Sequence, residues 1–467
     1  SLRCPAPRLS PAVSSPRRRR RRRRHEQVLP RAGPRGVPPR RGPRRDAGVP
    51  PLQRQRDRAR APHGRVAALL RVLLQHLQVP GAGGPLRGLH PPVPSRRPQS
   101  FDKYKRRLVA AFEFFHKLGV KYYSVSDRDL APEGDSFDDT GAHLEEAVSL
   151  AADLQKQTGV RPLYFGCDLF SHPRYMHGAA ANPDAHVFAY ACAQVKRGLE
   201  AAKRLGAENF VFFHPRDGYE SLLQRQPLRD ASHLAQLYRM AAAYRDKLGY
   251  KGQLLVQPRH AGPRRHQYEA DAAAAMHLLR HFGLDKQYKL NIRPASARLQ
   301  GREADHDVQM AAAYNMLGSV DAADAFPAPD GAASDLCSYD VRDATLVMKC
   351  VLEMGGLGQG GVTLGGRLRR GSVEPKDLFE GHVLAMDTFA RALRNAARLI
   401  SEGVFSRSMQ QRYASYKSGL GERIEKGAAT LEECEEYVRK CGEPQTTSGR
   451  HEHFQAVFNH YVFPPRQ

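Results

Sequence analysis

Residues Phe210–Glu220 read FVFFHPRDGYE, an apolar run that passes into a polar loop. The run is flanked by two helical patterns, Val187–Leu205 before it and Leu234–Leu248 after it. A short apolar strand between two amphipathic helices is the repeating unit of a parallel sheet with crossover helices. This stretch therefore indicates an α/β fold, and the neighbouring sequence repeats the same unit in both directions.

The repeats extend over roughly 300 residues of the chain. Strands are predicted at Lys121–Asp127, Pro162–Leu169, Phe210–His214, Gln253–Gln257, Tyr288–Ile292, Ser319–Ala322 and Gly361–Leu364. Helices are predicted at Phe101–Lys117, Leu144–Gln157, Val187–Leu205, Leu234–Leu248, Ala270–Phe282, Val308–Leu317, Ala344–Glu353 and Leu378–Ser401. Many parallel units without a change of pattern favour a closed barrel of the TIM (β/α)8 type.

An eight-stranded barrel needs one more strand before the first helix. Only Val66–Leu74 could supply it, and this run lacks the polar residues expected at the functional end of a barrel strand. We therefore expect the first strand to be missing or degraded, in a barrel that spans residues 100–400. Residues 401–467 have helical patterns and few strand signals, which predicts a C-terminal helical tail that serves oligomerisation.

Residues 1–99 differ from the rest of the chain in composition. They contain 25 Arg, no Lys and three acidic residues, so they account for 22 of the 25 net positive charges. They also contain 18 of the 33 prolines. Such a segment cannot bury enough apolar surface to offset its chain entropy, so we predict that it is low in complexity and disordered.

The run Arg17–Arg24 could hold nucleic-acid phosphates without sequence preference, or act as a nuclear or organelle address. A solvated segment, or a GC-rich coding region read in another frame, accounts for the same composition. Nucleic-acid binding is the less favoured interpretation, because the rest of the chain has a surplus of only three positive charges.

The seven cysteines are scattered and form no C-x-x-C pair, which predicts neither a zinc site nor a disulfide framework. Reduced thiols of this kind are typical of a cytoplasmic protein. No apolar run approaches the ~20 residues of a membrane helix, and no signal-peptide pattern is present. The sequence GLGQGG at residues 356–361 fits G-x-G-x-x-G, but a β-rich stretch follows where a dinucleotide site needs a helix. No such cofactor is predicted.

Several longer segments carry a family resemblance, in matching order and spacing. They are AFEFFHKLGVKYYSVSDRDLAPEGDS (Ala111–Ser136), LFSHPRYMHGAA (Leu169–Ala180), FVFFHPRDGYE (Phe210–Glu220), HQYE (His266–Glu269), GSVDA (Gly318–Ala322), LRRGS (Leu368–Ser372) and MDTFARALRNAARLI (Met386–Ile400). From about residue 100 to the C-terminus the chain resembles xylose isomerase. The resemblance implies a barrel enzyme of pentose metabolism that converts D-xylose to D-xylulose and assembles as a homodimer or homotetramer. It also implies two divalent ions, usually Mg²⁺ or Mn²⁺, at the mouth of the barrel.

The resemblance implies catalytic roles for three positions. Ser126 stands where the family has the His that assists ring opening, and its partner Asp129 is retained. A serine hydroxyl does not titrate near neutral pH, so it cannot replace a general acid or base. Arg259 stands at the position of the family's Lys, where it keeps a cation.

The positions that hold metal in the family are mostly changed. The candidate ligands that remain are Gln257, Asp321 and Asp335. The resemblance implies ligands lost at Arg293, Ser296, Ala333 and Gly365. The change at Arg293 inverts a charge, because this residue replaces the Glu that bridges both metals, and a guanidinium repels a dication.

These positions predict an isomerase homologue that is inactive or severely impaired, with weak or absent binding of Mg²⁺ or Mn²⁺. The Arg293 guanidinium should pair with Asp321 or Asp335, because an isolated buried charge is costly. Two alternatives remain open. One is an active isomerase in which Gln257, Asp321 and Asp335 hold a single ion, and the other is a nucleic-acid-binding protein that uses the Arg-rich segment.

Overall fold

The computed structural model of the protein describes residues 77–80, 100–260, 264–323, 339–365 and 374–463. The strands are β1 (Leu77–Pro80), β2 (Tyr122–Ser126), β3 (Arg161–Gly166), β4 (Asn209–Phe212), β5 (Gly218–Tyr219), β6 (Gln253–Val256), β7 (His266–Gln267), β8 (Tyr288–Ile292), β9 (Leu317–Asp321) and β10 (Val362–Thr363). The first ten helices are α1 (Phe101–Leu118), α2 (Asp127–Leu130), α3 (Phe137–Thr158), α4 (Ala185–Leu205), α5 (Pro227–Leu248), α6 (Ala272–His281), α7 (Pro294–Leu299), α8 (His306–Ala313), α9 (Val341–Glu353) and α10 (Pro375–Ser401). The tail contains α11 (Val404–Arg412), α12 (Gly419–Glu425), α13 (Leu431–Cys441) and α14 (His451–Val462).

Eight parallel strands close into a barrel in the order β1, β2, β3, β4, β6, β8, β9, β10. The strands β5 and β7 form a separate antiparallel pair outside this ring. Strand β8 has the predicted bounds, and the other predicted strands after residue 100 differ from the observed ones by a few residues at their ends. The TIM-type barrel predicted from the sequence is confirmed.

The first strand is reduced rather than missing. Its four residues pair in parallel with β2 on one side, where Val79 faces Tyr123, and with β10 on the other, where Leu77 faces Val362. It follows the predicted run at residues 66–74, which lies outside the described residues together with the remainder of residues 1–99. A short ladder on each side is enough to close the ring of hydrogen bonds.

The outer helices begin and end at residues suited to these positions. Helix α3 begins after Ser136, whose hydroxyl accepts from the backbone N–H of Asp139 while the Asp139 carboxylate accepts from the Ser136 backbone. This capping box starts the helix seven residues earlier than predicted. Helix α1 ends at Gly119, whose φ of 70° lies in the left-handed region that favours glycine.

The core lies between the strands and the outer helices. Its largest fully buried side chains are aromatic and include Phe112 of α1, Tyr123 of β2 and Tyr238 of α5. The rings of Phe112 and Tyr123 meet edge to face with centroids 5.1 Å apart, a favoured geometry for aromatic pairs. These contacts fix the strands, and hence the loops at their carboxyl ends.

The tail is helical, as predicted, but its helices differ in how they pack. Phe458 and Val462 of α14 are buried against Leu399 of α10 in the same chain. Helices α11, α12 and α13 bury none of their described residues. The last helix is thus docked on its own barrel, while the middle of the tail keeps its apolar side chains exposed.

Candidate active site at the mouth of the barrel

Four of the predicted site residues lie at the carboxyl ends of barrel strands. Ser126 ends β2, Gln257 follows β6, Arg293 follows β8 and Asp321 ends β9. Because the carboxyl ends of parallel strands meet at one mouth, where TIM-barrel enzymes place their active sites, the fold brings these side chains to the same face of the molecule.

A buried ion pair joins Arg293 to Asp321. The Nε of Arg293 donates to Asp321 Oδ2 at 2.9 Å, and its Nη2 donates to the same oxygen. Arg293 is 7% exposed and Asp321 is 3% exposed. The contact predicted for the Arg293 guanidinium is confirmed for Asp321.

Two amide side chains extend this ion pair. Gln257 Nε2 donates to Asp321 Oδ2 at 2.8 Å, and Asn291 Nδ2 donates to Gln257 Oε1 at 2.9 Å. Gln257 therefore faces Asp321 with its amide N–H group, and its carbonyl oxygen accepts from Asn291. The sequence analysis did not identify Asn291. The available signal was a polar residue inside the apolar strand pattern YKLNI.

Arg259 brings a second buried cation to this part of the mouth. Its guanidinium carbon lies 5.6 Å from the ring centroid of Phe213, within the range of a cation–π contact. Burial lowers the pKa of Arg259 to about 9, with the nearby Arg293 charge acting in the same direction and Asp321 opposing it. Arg259 therefore remains a cation at neutral pH, as the sequence analysis expected.

On the opposite part of the ring, Ser126 caps the short helix α2 together with Asp129. The Ser126 hydroxyl donates to Asp129 Oδ2 at 2.8 Å, and the Ser126 backbone N–H donates to the same oxygen at 3.0 Å. The Asp129 backbone N–H donates back to the Ser126 hydroxyl at 3.3 Å. The hydroxyl at the family's His position thus takes part in a local capping box.

The carboxyl of Asp129 has an unusual protonation equilibrium. Burial raises its pKa to about 7; the hydrogen bonds from Ser126 oppose this rise, and the charges of Asp168 and Asp127 add to it. Near neutral pH this carboxyl is therefore partly protonated, whereas an ordinary aspartate is ionised.

A buried network next to this cap was not predicted. Asp127 accepts from the backbone N–H of Asp168 at 2.8 Å and from Gln194 Nε2 at 2.7 Å. Gln194 Oε1 in turn accepts from the hydroxyl of Tyr175 at 2.7 Å. The network joins the start of α2 and the loop after β3 to α4. The residues of this network lie far apart in sequence, so no local sequence pattern predicts it.

The other positions implied by the resemblance add no described carboxylate. Ser296 lies in α7 and is half-buried, and Gly365 is a buried glycine after β10. Ala333 and Asp335 lie outside the described residues. The role of Asp335 as a metal ligand therefore stays a prediction.

The described residues at this mouth do not fit a divalent ion. Mg²⁺ and Mn²⁺ need several oxygen ligands, preferably anionic. Asp321 offers one carboxylate, and its Oδ2 already accepts from Arg293 and Gln257. Within the described ranges, His, Cys, Asp and Glu side chains do not gather in any group of three or more that could hold a metal ion.

The chain is similar in sequence to several known proteins. A model of the XylA2 C-terminal domain matches residues 409–462. The chain is 42% identical to the xylose isomerase of Arabidopsis thaliana over 77% of this chain and 75% of that protein. It is also 42% identical to the xylose isomerase of Caldanaerobacter subterraneus subsp. yonseiensis over 78% of this chain and 82% of that protein. A solved xylose isomerase domain protein from Alicyclobacillus acidocaldarius aligns with a TM-score of 0.43 and 16% identity, over 62% of this chain and 94% of that chain.

A closed parallel barrel with polar side chains at the carboxyl ends of its strands defines the class, a TIM-barrel protein. The identity to these relatives over about three quarters of the chain gives the family. The chain belongs to the xylose isomerase family, as its sequence motifs indicated. None of the helices in the described part of the chain is long and apolar enough to cross a membrane.

Proposed function

We propose that this protein is a xylose isomerase homologue whose conversion of D-xylose to D-xylulose is absent or severely impaired. The observation that carries the proposal is the buried ion pair between Arg293 and Asp321. It places a guanidinium on the carboxylate that the family resemblance assigns to metal binding. A divalent ion at this position would have to displace a buried cation and would be repelled by it.

Two chemical functions are weakened at once. Bound metal ions would polarise the sugar oxygens and stabilise developing charge, and the donor set at Arg293 and Asp321 disfavours them. Ser126 holds its proton in a hydrogen bond to Asp129 and cannot exchange it with a substrate near neutral pH. Arg259 still offers a cation that can face a substrate oxygen. These residues therefore support binding of a pentose with little or no turnover.

A coupled assay for D-xylulose tests the proposal, with saturating Mg²⁺ or Mn²⁺ and with a family member that has the full carboxylate set measured in parallel. Each lost electrostatic or acid–base element typically costs a factor of ~10² or more, so we expect less than about a thousandth of the ordinary rate. Turnover within about tenfold of ordinary enzymes would contradict the proposal. It would favour the alternative of one ion held by Gln257, Asp321 and Asp335.

We also propose that the chain associates with itself as a dimer or tetramer. Helix α13 buries none of its residues and exposes Leu431, Tyr437 and Val438 by 86%, 51% and 55%. Large apolar side chains on one short helix are typical of a surface that another subunit covers. An obligate interface usually buries more than ~2,000 Å², so light scattering at micromolar concentration should show an oligomer. Monomer alone would contradict this part of the proposal.

A cytoplasmic location completes the proposal. The described cysteines, including the buried Cys167 and Cys350, are free thiols, and free thiols are typical of reducing compartments. Nucleic-acid binding through Arg17–Arg24 is not part of the proposed function. A salt-dependent binding titration with the full chain tests it, and tight binding that weakens steeply with salt would revive that alternative.

A further inference from the structure

Three titratable side chains form a buried chain of contacts beside the mouth, outside the site described above. His214 lies two residues after the end of β4, Tyr238 lies on α5, and Glu269 lies two residues after the end of β7. Tyr238 is fully buried, and His214 and Glu269 are 7% and 6% exposed. The proposed function uses none of them.

The phenol of Tyr238 contacts both other residues. The hydroxyl of Tyr238 donates to Glu269 Oε1 at 2.6 Å, and the Nδ1 of His214 lies 3.3 Å from the same hydroxyl. With its proton on Nδ1, His214 donates to the phenol oxygen. The Nε2 of His214 is buried and has no hydrogen-bond partner among the described residues. His214, Tyr238 and Glu269 therefore form a continuous line of hydrogen bonds, in which the phenol donates and the Glu269 carboxyl accepts.

Asp217 sets the charge around this line. Its Oδ2 lies 3.9 Å from His214 Nδ1. Its carboxylate also accepts from the backbone N–H groups of Ala179, Ala180 and Ala181 at 2.6, 3.1 and 3.1 Å. These three donors hold the Asp217 carboxyl group in place beside the line.

The other elements that pack against these three residues contribute aromatic rings, among them the phenol of Tyr288. Tyr288 of β8 packs against Tyr238 with ring centroids 5.0 Å apart, and its hydroxyl donates to the Tyr238 carbonyl at 2.7 Å. Arg245 of α5 acts electrostatically on Tyr288, and Phe212 lies against His214. The charged group in direct contact with His214 is thus Asp217.

Burial moves both ends of the line toward their neutral forms. It raises the pKa of Glu269 to about 8; the bond from Tyr238 opposes this rise, and the Asp217 charge adds to it. Burial also lowers the pKa of His214, with Asp217 opposing. Burial therefore favours the uncharged form at both ends of the line.

We propose that His214, Tyr238 and Glu269 form a hydrogen-bonded latch that holds two loops of the mouth together while the Glu269 carboxyl is protonated and releases them when it is ionised. The loops are residues 213–220 and 264–269, which meet where Gly218 and Tyr219 pair with Gln267 and His266. The Glu269 carbonyl also accepts from the Arg259 backbone N–H at 2.8 Å, which ties the latch to the mouth. When Glu269 gives its proton to solvent, two buried carboxylates face one phenol and one imidazole, and the loops separate to hydrate them.

The thermal stability of the full chain as a function of pH tests the latch. The pKa of Glu269 is raised above its ordinary value of 4.5. Its contribution to stability is therefore complete below about pH 4.5 and is lost as the pH rises through 8. Relative to Glu269→Gln, the Tm of the unchanged protein should fall by about 5 °C or more between pH 5 and pH 9. The control Glu145→Gln changes an exposed carboxyl paired with Arg204 and should follow the unchanged protein. Parallel profiles for Glu269→Gln and the unchanged protein would overturn the proposal.

Tyr238→Phe tests whether the phenol hydroxyl, in addition to burial, sets the pKa of Glu269. The ring packing is kept, but the hydrogen bond that favours ionised Glu269 is removed, so the midpoint of the pH effect should move upward. An unmoved midpoint would exclude the phenol as a link.

Hydrogen exchange on the unchanged protein supplies a readout that needs no variant. After correction for intrinsic rates, residues 214–220 and 266–269 should lose protection between pH 7 and pH 9 while β3 keeps it. Equal protection of these loops at both pH values would refute the release.

Discussion

The two parts of the barrel mouth depart from the family pattern in different ways. At Arg293 the charge of the expected residue is inverted, and the new cation is buried and paired with Asp321. At Ser126 an imidazole gives way to a small hydroxyl, which caps a helix with Asp129. An inverted buried charge must be matched by a partner across the site, whereas a small polar replacement needs only its local hydrogen bonds. The first change should therefore matter more for folding, and both should matter for catalysis.

Removing the carboxylate of the ion pair should have the largest effect. In Asp321→Ala the buried Arg293 loses the carboxylate with which it forms this ion pair, and breaking a buried pair typically costs about 3–5 kcal/mol of unfolding free energy. Urea unfolding measures the loss. The matched control is Asp138→Ala, which removes the exposed partner of Arg197 and should change little. Equal losses of unfolding free energy in the two variants would show that the buried ion pair of Arg293 and Asp321 stabilises the fold no more than an exposed ion pair does.

The second-largest effect is expected for Arg293→Glu, which should raise the affinity of the site for divalent ions. It removes the repelling guanidinium and puts a second carboxylate beside Asp321, so affinity for Mn²⁺ should rise at least about tenfold. Isothermal calorimetry measures it, and Arg197→Glu at the surface serves as the control. Turnover should stay absent, because Ser126 remains in place of the imidazole. Micromolar binding of Mg²⁺ by the unchanged protein would contradict the interpretation of this part of the mouth.

Ser126→Ala should have a smaller effect. It removes the side chain that caps α2, and such a loss typically costs about 1 kcal/mol. It also removes hydrogen bonding that lowers the pKa of Asp129, so this pKa should rise above about 7. Chemical denaturation at two pH values measures both effects. A loss as large as that of Asp321→Ala would remove the distinction between the two parts of the mouth.

Asp129→Asn should change stability least near pH 4, where the carboxyl it replaces is protonated, and its effect should be visible as a change in pH dependence. The pKa of Asp129 is raised from 3.8 to about 7. Its contribution to stability is therefore present below about pH 4 and is lost as the pH rises toward 7. The variant should lack this decline, and melting curves from pH 4 to pH 8 can resolve it. An unchanged slope would indicate that the Asp129 carboxyl is hydrated.

The periodic parts of the fold could be predicted from the sequence. The pattern YKLNI predicts the strand Tyr288–Ile292 at its observed bounds, because polar residues flank it on both sides. The apolar period predicts the start of α3 seven residues late, since the capping signal at Ser136 lies outside that period. Strand β1 was not located, because four residues in an Arg- and Pro-rich segment carry no period of their own.

The contacts of the candidate site also differ in whether the sequence predicts them. The pairing of Arg293 with Asp321 could be predicted because both follow strands and carry opposite charges. The bond between Asn291 and Gln257 could not, because amide side chains give no sign of their partners. The contact of Tyr238 with Glu269 joins a helix to a loop 31 residues further on. Such contacts depend on tertiary packing, which no local pattern encodes.

The ion pair at the mouth also limits how this protein can change over generations. A lineage that began to restore a carboxylate-rich mouth would have to alter Arg293 first and leave the buried Asp321 facing another negative charge. No gain of turnover would reward that step while Ser126 stands at its present position. The first step toward such a mouth therefore breaks the buried ion pair and weakens the folding that it supports. Under the proposed function, this loss of stability comes before any gain of activity.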